Sequence, residues 1–207
     1  PPSEAPRALD SNSTVEDVPQ GISVAEMIDD PELGFMLTVH AGRNGLDRRI
    51  RNARVQKSGL CLVGHFHGLE QWRVQILGAT EISYLETLEP AARVRACEAF
   101  ISMRPCAVVV TSGTVPMPEL VEACERYETP LLGTVSKSSS SINAIHAYLD
   151  DWLAPRTRIH GVLVSVFGIG VLLLGRSGIG KSECALDLVM RGHRLVADDV
   201  VDCSVAR

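Results

Sequence analysis

The stretch VLLLGRSGIGKSECALDLVMRGHRLVADD, Val171 to Asp199, predicts both a fold and a site in this chain. Its middle, Gly175 to Ser182, fits the phosphate-binding pattern G-x-x-x-x-G-K-[ST] without a mismatch. The apolar run Val171 to Leu174 comes before the pattern and predicts a strand, whereas Ser182 to Met190 comes after it and predicts a helix. A phosphate loop requires this order of strand, loop and helix.

The loop predicts binding of the phosphates of a nucleotide, by Gly175, Arg176, Ser177, Gly178, Ile179, Gly180, Lys181 and Ser182. Glycines let the backbone approach an anion closely, and the start of the following helix adds unpaired N–H donors. In such a loop, Lys181 reaches the β- and γ-phosphates and the Ser182 hydroxyl coordinates Mg²⁺. The alternative is a glycine-rich turn with Lys181 in solvent, but the flanking elements favour a nucleotide.

Composition and charge are those of an ordinary globular protein. The 207 residues are 45% hydrophobic and 22% charged, which suits one or two soluble domains. A net charge of −5 gives no reason to expect a nucleic-acid partner. No apolar run is long enough to span a membrane, and no signal-peptide pattern opens the chain. The six cysteines form no C-x-x-C pair, which predicts reduced thiols, mostly in the core, of a cytoplasmic protein.

Changes in composition divide the chain into four segments. Residues 1–20 are rich in Pro, Ser, Asp and Glu and predict a disordered tail. Residues 21–135 alternate between strand and helix patterns, which predicts an α/β domain with a largely parallel sheet. Residues 136–154 predict a linker and a helix, and residues 155–207 predict the start of the phosphate-loop domain.

The patterns predict helices at Ser23 to Ile28, where Ser-Val-Ala-Glu is a capping box, and at Pro90 to Ile101, Pro118 to Tyr127 and Ser141 to Leu153. They predict strands at Leu37 to Val39, Leu60 to Val63, Val74 to Leu77, Cys106 to Thr111, around Leu131, and at Leu195 to Ala197. Two further strands, Val162 to Val166 and Val171 to Leu174, should form a hairpin that turns at Gly168-Ile169-Gly170.

Acidic residues follow the phosphate loop at the distance of one helix and one short strand. There, a carboxylate of Asp198 or Asp199 could hold Mg²⁺ through water or accept a proton from an attacking hydroxyl. An isolated pair of this kind is usually a solvated turn, and the nearby loop favours function instead. His65 and His67 lack the further ligands that a zinc site needs.

Longer segments resemble bacterial HPr kinase/phosphorylase. In the carboxy-terminal part these are HGVLV from His160, GRSGIGKSE from Gly175 and RGHRLVADD from Arg191. Earlier in the chain, SGLCLVGHF from Ser58, ILGATEISYLETL from Ile76, VVVTSG from Val108 and LAPRTRIHGV from Leu153 are similar to that family's first domain and interdomain segment. The resemblance extends from about Ser23 to Arg207.

The resemblance implies a bifunctional cytoplasmic enzyme. Members of the family use ATP or pyrophosphate to phosphorylate a serine of HPr, the phosphocarrier protein of the sugar phosphotransferase system. They also remove that phosphate by phosphorolysis, and they are typically hexamers. By position, Lys181 would neutralise the transferred group, Ser182 would bind Mg²⁺, and Asp199 rather than Asp198 would be the general base. His160 would orient or tune that base.

The chain differs from the family pattern in two places. Ser165 occupies a position where the family usually has an acidic residue, and the chain ends at Arg207, before the family's later strands and carboxy-terminal helices. We therefore expect a fragment of the kinase domain. Two other functions stay open: a small-molecule kinase or other phosphate-loop NTPase, and a regulatory module that binds a nucleotide or partner without catalysis.

Overall fold

The computed structural model describes residues 14–17, 20–33 and 37–204. The chain forms two compact units: an amino-terminal unit, Pro19–Leu153, and a carboxy-terminal unit that combines Pro1–Val18 with Ala154–Arg207. The first strand, β1 (Thr14–Asp17), lies where the sequence analysis predicted a disordered tail. The rest of that tail, residues 1–13 and 18–19, lies outside the described residues.

The strands of the amino-terminal unit are β2 (Ile22–Ser23), β3 (Thr38–Ala41), β4 (Arg49–Ile50), β5 (Gln56–Lys57), β6 (Val74–Leu77), β7 (Ala107–Val110) and β8 (Leu131–Gly133). Its helices are α1 (Val24–Asp29), α2 (Gly59–Leu62), α3 (Ala79–Thr87), α4 (Pro90–Ser102), α5 (Pro118–Arg126) and α6 (Ser138–Trp152). The capping box at the start of α1 is present as predicted, with Ser23 and Glu26 each bonding the other's backbone N–H.

The amino-terminal unit is an α/β structure with a largely parallel sheet, as predicted. The sheet has the order β3-β8-β7-β6-β5, in which β5 to β8 run parallel and β3 is antiparallel to β8. All four residues of β7 are buried. Val108 and Val110 pack with α2 to α5, whereas Ala107 and Val109 pack with α1 and α6, so helices cover both faces.

Three elements of this unit differ from the sequence predictions. Leu60 to Val63, predicted to be a strand, contains one turn of helix, because a four-residue apolar run fits either structure. Helix α3 was not predicted. Helix α6, assigned to a linker from the sequence, buries Ile145 and Leu149 in the core and belongs to the unit.

The carboxy-terminal unit contains β9 (Arg156–His160), β10 (Val162–Val166), β11 (Ile169–Leu173), α7 (Lys181–Met190), β12 (Arg194–Ala197) and β13 (Val200–Ser204). Its strands form two antiparallel sheets, with the orders β1-β9-β13 and β11-β10-β12. Helix α7 packs on β10, where Ala185 and Leu188 contact a cluster that includes Val162 and Val164. The predicted hairpin of β10 and β11 is present.

The hairpin turn lies one residue earlier than predicted. Val166 pairs with Ile169, which leaves Phe167 and Gly168 as a two-residue turn. Both residues have positive φ angles, 52° and 84°, as a tight hairpin turn of the I′ type requires. In the part of the chain that the structure describes, no helix is long and apolar enough to cross a membrane.

Candidate functional site

The phosphate-binding pattern forms a loop between β11 and α7. The loop leaves β11 after Leu173, and its lysine is the first residue of α7, whose N-cap is Gly180. Gly178 and Gly180 have φ angles of 79° and 95°, a region that suits glycine and is strained for other residues. The sequence therefore needs glycine at these two positions to turn the backbone into the start of the helix.

Lys181 bridges the two ends of the loop. Its Nζ donates hydrogen bonds to the carbonyl oxygens of Gly175 at 2.9 Å and Arg176 at 3.0 Å. An ammonium has three N–H donors, so one remains for another acceptor. The structure thus places the lysine charge inside the curve of the loop, at the start of α7, where the unpaired N–H groups of the first turn also concentrate positive potential.

Ser182 and Asp198 lie close to each other, as expected if an acidic residue acts together with the phosphate loop. Ser182 Oγ donates a long hydrogen bond of 3.4 Å to Asp198 Oδ1. The same carboxylate oxygen accepts the backbone N–H of Asp199 at 3.0 Å. Asp199 has a φ of 67°, in the left-handed region that Asp tolerates better than most residues. Asp198 and Asp199 therefore form a tight turn, in which the Asp198 carboxylate faces the beginning of α7.

His160 and the Asp198-Asp199 turn lie on adjacent strands of one antiparallel ladder. Leu163 pairs with Ala197 between β10 and β12, and His160 pairs with Val200 between β9 and β13. These two pairs share one register, in which Gly161 falls opposite Asp199. The Gly161 N–H indeed donates to the Asp199 carbonyl oxygen at 3.1 Å. The two three-stranded sheets are thus joined by a ladder that bends at this pair.

Gly161 brings the ladder close to the strand that enters the loop. A Cβ atom on Gly161 would lie 2.8 Å from the Leu173 carbonyl oxygen and 3.0 Å from Leu174 Cδ2. Only a residue without a side chain allows this approach without a backbone shift. The bend therefore fixes three features together: His160, the Asp198-Asp199 turn and the end of β11 from which the loop starts.

The structure brings the predicted site residues into one part of the carboxy-terminal unit. The loop, Ser182 and Asp198 are in direct contact, and His160 is held by its strand pairing opposite Val200. Sequence reasoning missed the structural role of Gly161. The available signal was a glycine that interrupts an otherwise strand-like run between His160 and Val162.

Ser165 lies on β10, between Gly170 of β11 and Arg194 of β12. Ser165 therefore belongs to the central strand of this sheet. It lies near the end of β10 that is farther from Gly161. Among the described residues, no side-chain hydrogen bond joins Ser165 to the phosphate loop.

Comparison with known proteins identifies the family of the chain. The family model described as the HPr Serine kinase N terminus matches residues 22–149, and the one described as the HPr Serine kinase C-terminal domain matches residues 151–207. Together these matches cover most of the chain. The chain belongs to the HPr serine kinase family.

Curated members of the HPr serine kinase family are similar over most of the chain. The HPr kinase/phosphorylase of Geobacter sulfurreducens is 48% identical over 180 residues, covering 87% of this chain and 56% of the relative. That of Geobacillus kaustophilus is 41% identical over 168 residues, covering 81% of this chain and 54% of the relative. The chain spans about half the length of the curated relatives it matches.

Proposed function

We propose that this chain carries the nucleotide site of a cytoplasmic protein-serine kinase and phosphorylase that acts on HPr. The observation that supports this most is the contact between the start of α7 and the acidic turn, with Ser182 Oγ 3.4 Å from Asp198 Oδ1. Membership of the HPr serine kinase family, whose relatives carry the name HPr kinase/phosphorylase, supports HPr as the substrate. ATP is the proposed phosphate donor, with pyrophosphate as a second donor.

The phosphate loop binds and orients the donor. Its backbone N–H groups and the amino end of α7 favour an anion, and the loop glycines leave room for one, since a Cβ on Gly178 would meet nothing within 4 Å. Two N–H groups of the Lys181 ammonium bond to backbone carbonyl oxygens, and the third is available to the transferred phosphoryl group, whose negative charge the lysine neutralises. Phosphoryl transfer depends mainly on such positioning and neutralisation.

The residues present fit Mg²⁺ bound together with a nucleotide. Mg²⁺ usually takes one or two carboxylates along with waters and substrate phosphates, so it needs no all-protein cage. Ser182 and Asp198 provide a hydroxyl and a carboxylate side by side, and no group of three His, Cys, Asp or Glu suited to a metal occurs among the residues described. When bound, Mg²⁺ would neutralise negative charge on the phosphates.

Asp199 is the proposed general base, because the Asp198 carboxylate already accepts hydrogen bonds from the Ser182 hydroxyl and from the Asp199 backbone N–H. In the described part of the chain, the Asp199 carboxylate has no hydrogen-bond partner. It takes the proton of the HPr serine hydroxyl while that oxygen bonds to the γ-phosphorus and the bond from phosphorus to ADP breaks. In phosphorolysis, an oxygen of inorganic phosphate bonds to the phosphorus of phosphoserine and gives its proton to the Asp199 carboxylate. The bond from phosphorus to the serine oxygen breaks, the carboxyl passes the proton to that oxygen, and pyrophosphate and free serine result. His160, opposite Val200, orients this side of the site.

The test is transfer of labelled phosphate from ATP to purified HPr by the full-length protein, with a panel of small hydroxyl metabolites as competing acceptors. Label on a serine of HPr alone is the expected result. Label on a metabolite would identify a small-molecule kinase, and ATP binding without transfer would identify a regulatory module. A hexamer stays a prediction, which sedimentation of the full-length protein checks.

A further inference from the structure

Asp199 occupies a backbone conformation that is strained for a residue with a side chain. Its φ of 67° lies in the left-handed region. The Val200 N–H donates to the Asp198 carbonyl oxygen at 2.9 Å, so a hydrogen bond between residues two apart closes around Asp199. A positive φ inside such a bond is typical of the rare, strained form of the γ-turn. The turn therefore persists only because the surrounding structure holds it.

The connection between the strands does not by itself explain an aspartate in this conformation. Phe167, the other non-glycine residue with a positive φ among the described residues of the carboxy-terminal unit, belongs to the two-residue hairpin turn. Asp199 instead joins β12 to β13, which belong to different sheets. Glycine adopts a positive φ at little cost, so the fold alone would favour glycine here. Aspartate at this position indicates that the site needs its carboxylate.

Three hydrogen bonds among the described residues hold the turn, and one of them depends on a side chain. The Gly161 N–H donates to the Asp199 carbonyl oxygen at 3.1 Å, and the Val200 N–H closes the turn. Both of these are main-chain bonds. The third bond runs from the Asp199 N–H to Asp198 Oδ1 at 3.0 Å. Because the same oxygen accepts the Ser182 hydroxyl at 3.4 Å, the Asp198 carboxylate connects the strained residue to the start of α7.

We propose that Asp198 is a positioning residue, whose carboxylate holds Asp199 in the strained turn and fixes it relative to the phosphate loop. Neither of its two bonds involves Oδ2, so this role leaves one oxygen for a further ligand. The inference rests on the proposed function for its effect on phosphate transfer, whereas its structural part, the hold on the turn, does not. An amide at position 198 keeps an oxygen acceptor, so Asp198→Asn should hold the turn and Asp198→Ala should release it.

The strain is tested by comparing glycine with alanine at position 199 in the full-length protein. The reporter is hydrogen exchange of the Gly161 amide, which bonds to residue 199 and whose own sequence neighbours stay the same. Exchange should be at least about fivefold slower in Asp199→Gly than in Asp199→Ala, because glycine removes the cost of the positive φ.

Asp202→Gly and Asp202→Ala are the matched controls for the strain. Asp202 lies within β13, where glycine is less favourable than alanine. Both changes remove the ion pair of Asp202 with Arg158, so its loss cancels in the comparison. Exchange of the Gly161 amide should therefore be no slower with glycine than with alanine at position 202.

The hold on the turn is tested by exchange of the Asp199 amide, corrected for its intrinsic rate, in Asp198→Ala and Asp198→Asn. Exchange should be about tenfold faster than wild type in the alanine variant, which loses a bond to a charged acceptor, and within about threefold of wild type in the asparagine variant. Both variants lose the same charge, so the difference between them isolates the acceptor. Asp198→Asn should therefore transfer phosphate to HPr with a kcat several-fold above that of Asp198→Ala, while their dissociation constants for ATP with Mg²⁺ agree within about twofold.

Equal Asp199 exchange in the two variants at position 198 would overturn the proposal, as would equal Gly161 exchange in Asp199→Gly and Asp199→Ala. Exchange protection restored by Asp198→Asn without a restored kcat would also overturn it, because Asp198 would then act on stability alone. Should Asp198→Ala not fold, Asp199 exchange in Asp198→Asn that is more than about threefold faster than wild type would contradict the hold on the turn. If the wild-type protein phosphorylates no HPr, the proposed function fails, and the exchange measurements still decide whether Asp198 holds Asp199.

Discussion

Replacing Gly161 by alanine should destabilise the carboxy-terminal unit. The new Cβ would lie 2.8 Å from the Leu173 carbonyl oxygen, 3.0 Å from Leu174 Cδ2 and 3.2 Å from Leu172 Cδ1. The nearest of these atoms belongs to the backbone, so relief requires the ladder and β11 to separate. Overpacking of this kind typically costs about 1–3 kcal/mol. With a urea dependence of about 1–3 kcal/mol per molar, the midpoint of unfolding should fall by roughly 1 M.

Hydrogen exchange measured by mass spectrometry separates this effect from the rest of the chain. Peptides over residues 156–204 should exchange faster in the variant, and tryptophan fluorescence should not change, because Trp72 and Trp152 both belong to the amino-terminal unit. Gly170→Ala is the matched control. A Cβ there would meet only Leu163 Cδ1, at an ordinary contact distance of 3.7 Å. Equal exchange rates in the two variants would refute the close approach at Gly161.

Three further predictions concern single groups. Lys181→Ala should weaken ATP binding by about 10²-fold or more, because it removes a charge-assisted donor from the loop, while circular dichroism stays unchanged; unaltered affinity by calorimetry would contradict the role of the loop. In native protein, a thiol reagent such as dithiobis(nitrobenzoate) should modify the exposed Cys184 and Cys203 rapidly and the buried thiols only after urea is added. Burial raises the pKa of Cys97 and Cys106 to about 12, above their value of about 8.5 in the unfolded chain, so the stability that each neutral thiol provides is present below pH 8.5 and is lost as the pH rises toward 12. Each should contribute a fall of about 1.4 kcal/mol per pH unit in that window, and Cys97→Ala should show a shallower fall than wild type in urea titrations at pH 8 and pH 10.5.

The phosphate loop and the acidic turn could be predicted because their signals are local. A pattern of eight residues fixes the loop, and Asp198 follows at the distance of one helix and one strand. The strands that join these parts gave no such signal. Strand β9 reads RTRIH and β13 reads VVDCS, and neither has a clear apolar face. Their pairing depends on partners about 40 residues apart in sequence and therefore is invisible to a local pattern.

The predictions for short elements of the amino-terminal unit were wrong or missing for a related reason. The run from Leu60 to Val63 is apolar throughout, but only Cys61 and Leu62 are buried, because the neighbouring helices and not the run itself decide its structure. Gly78 is the N-cap of helix α3, and its N–H donates a hydrogen bond to the Glu81 carboxylate at 2.8 Å. That bond is half of a capping box without the usual serine or threonine, so the sequence signal for the start of α3 is weak.

The most direct test of the proposed site is the effect of Asp199→Asn in the full-length protein on two quantities measured together: the rate of phosphate transfer from ATP to HPr and the dissociation constant for ATP. Loss of a general base should lower transfer by about 10²–10⁴-fold, while the phosphate loop, untouched by the change, should keep ATP affinity within a few-fold of wild type. Equal transfer rates in wild type and variant would contradict the assignment of Asp199 as the base and would direct attention to Asp198.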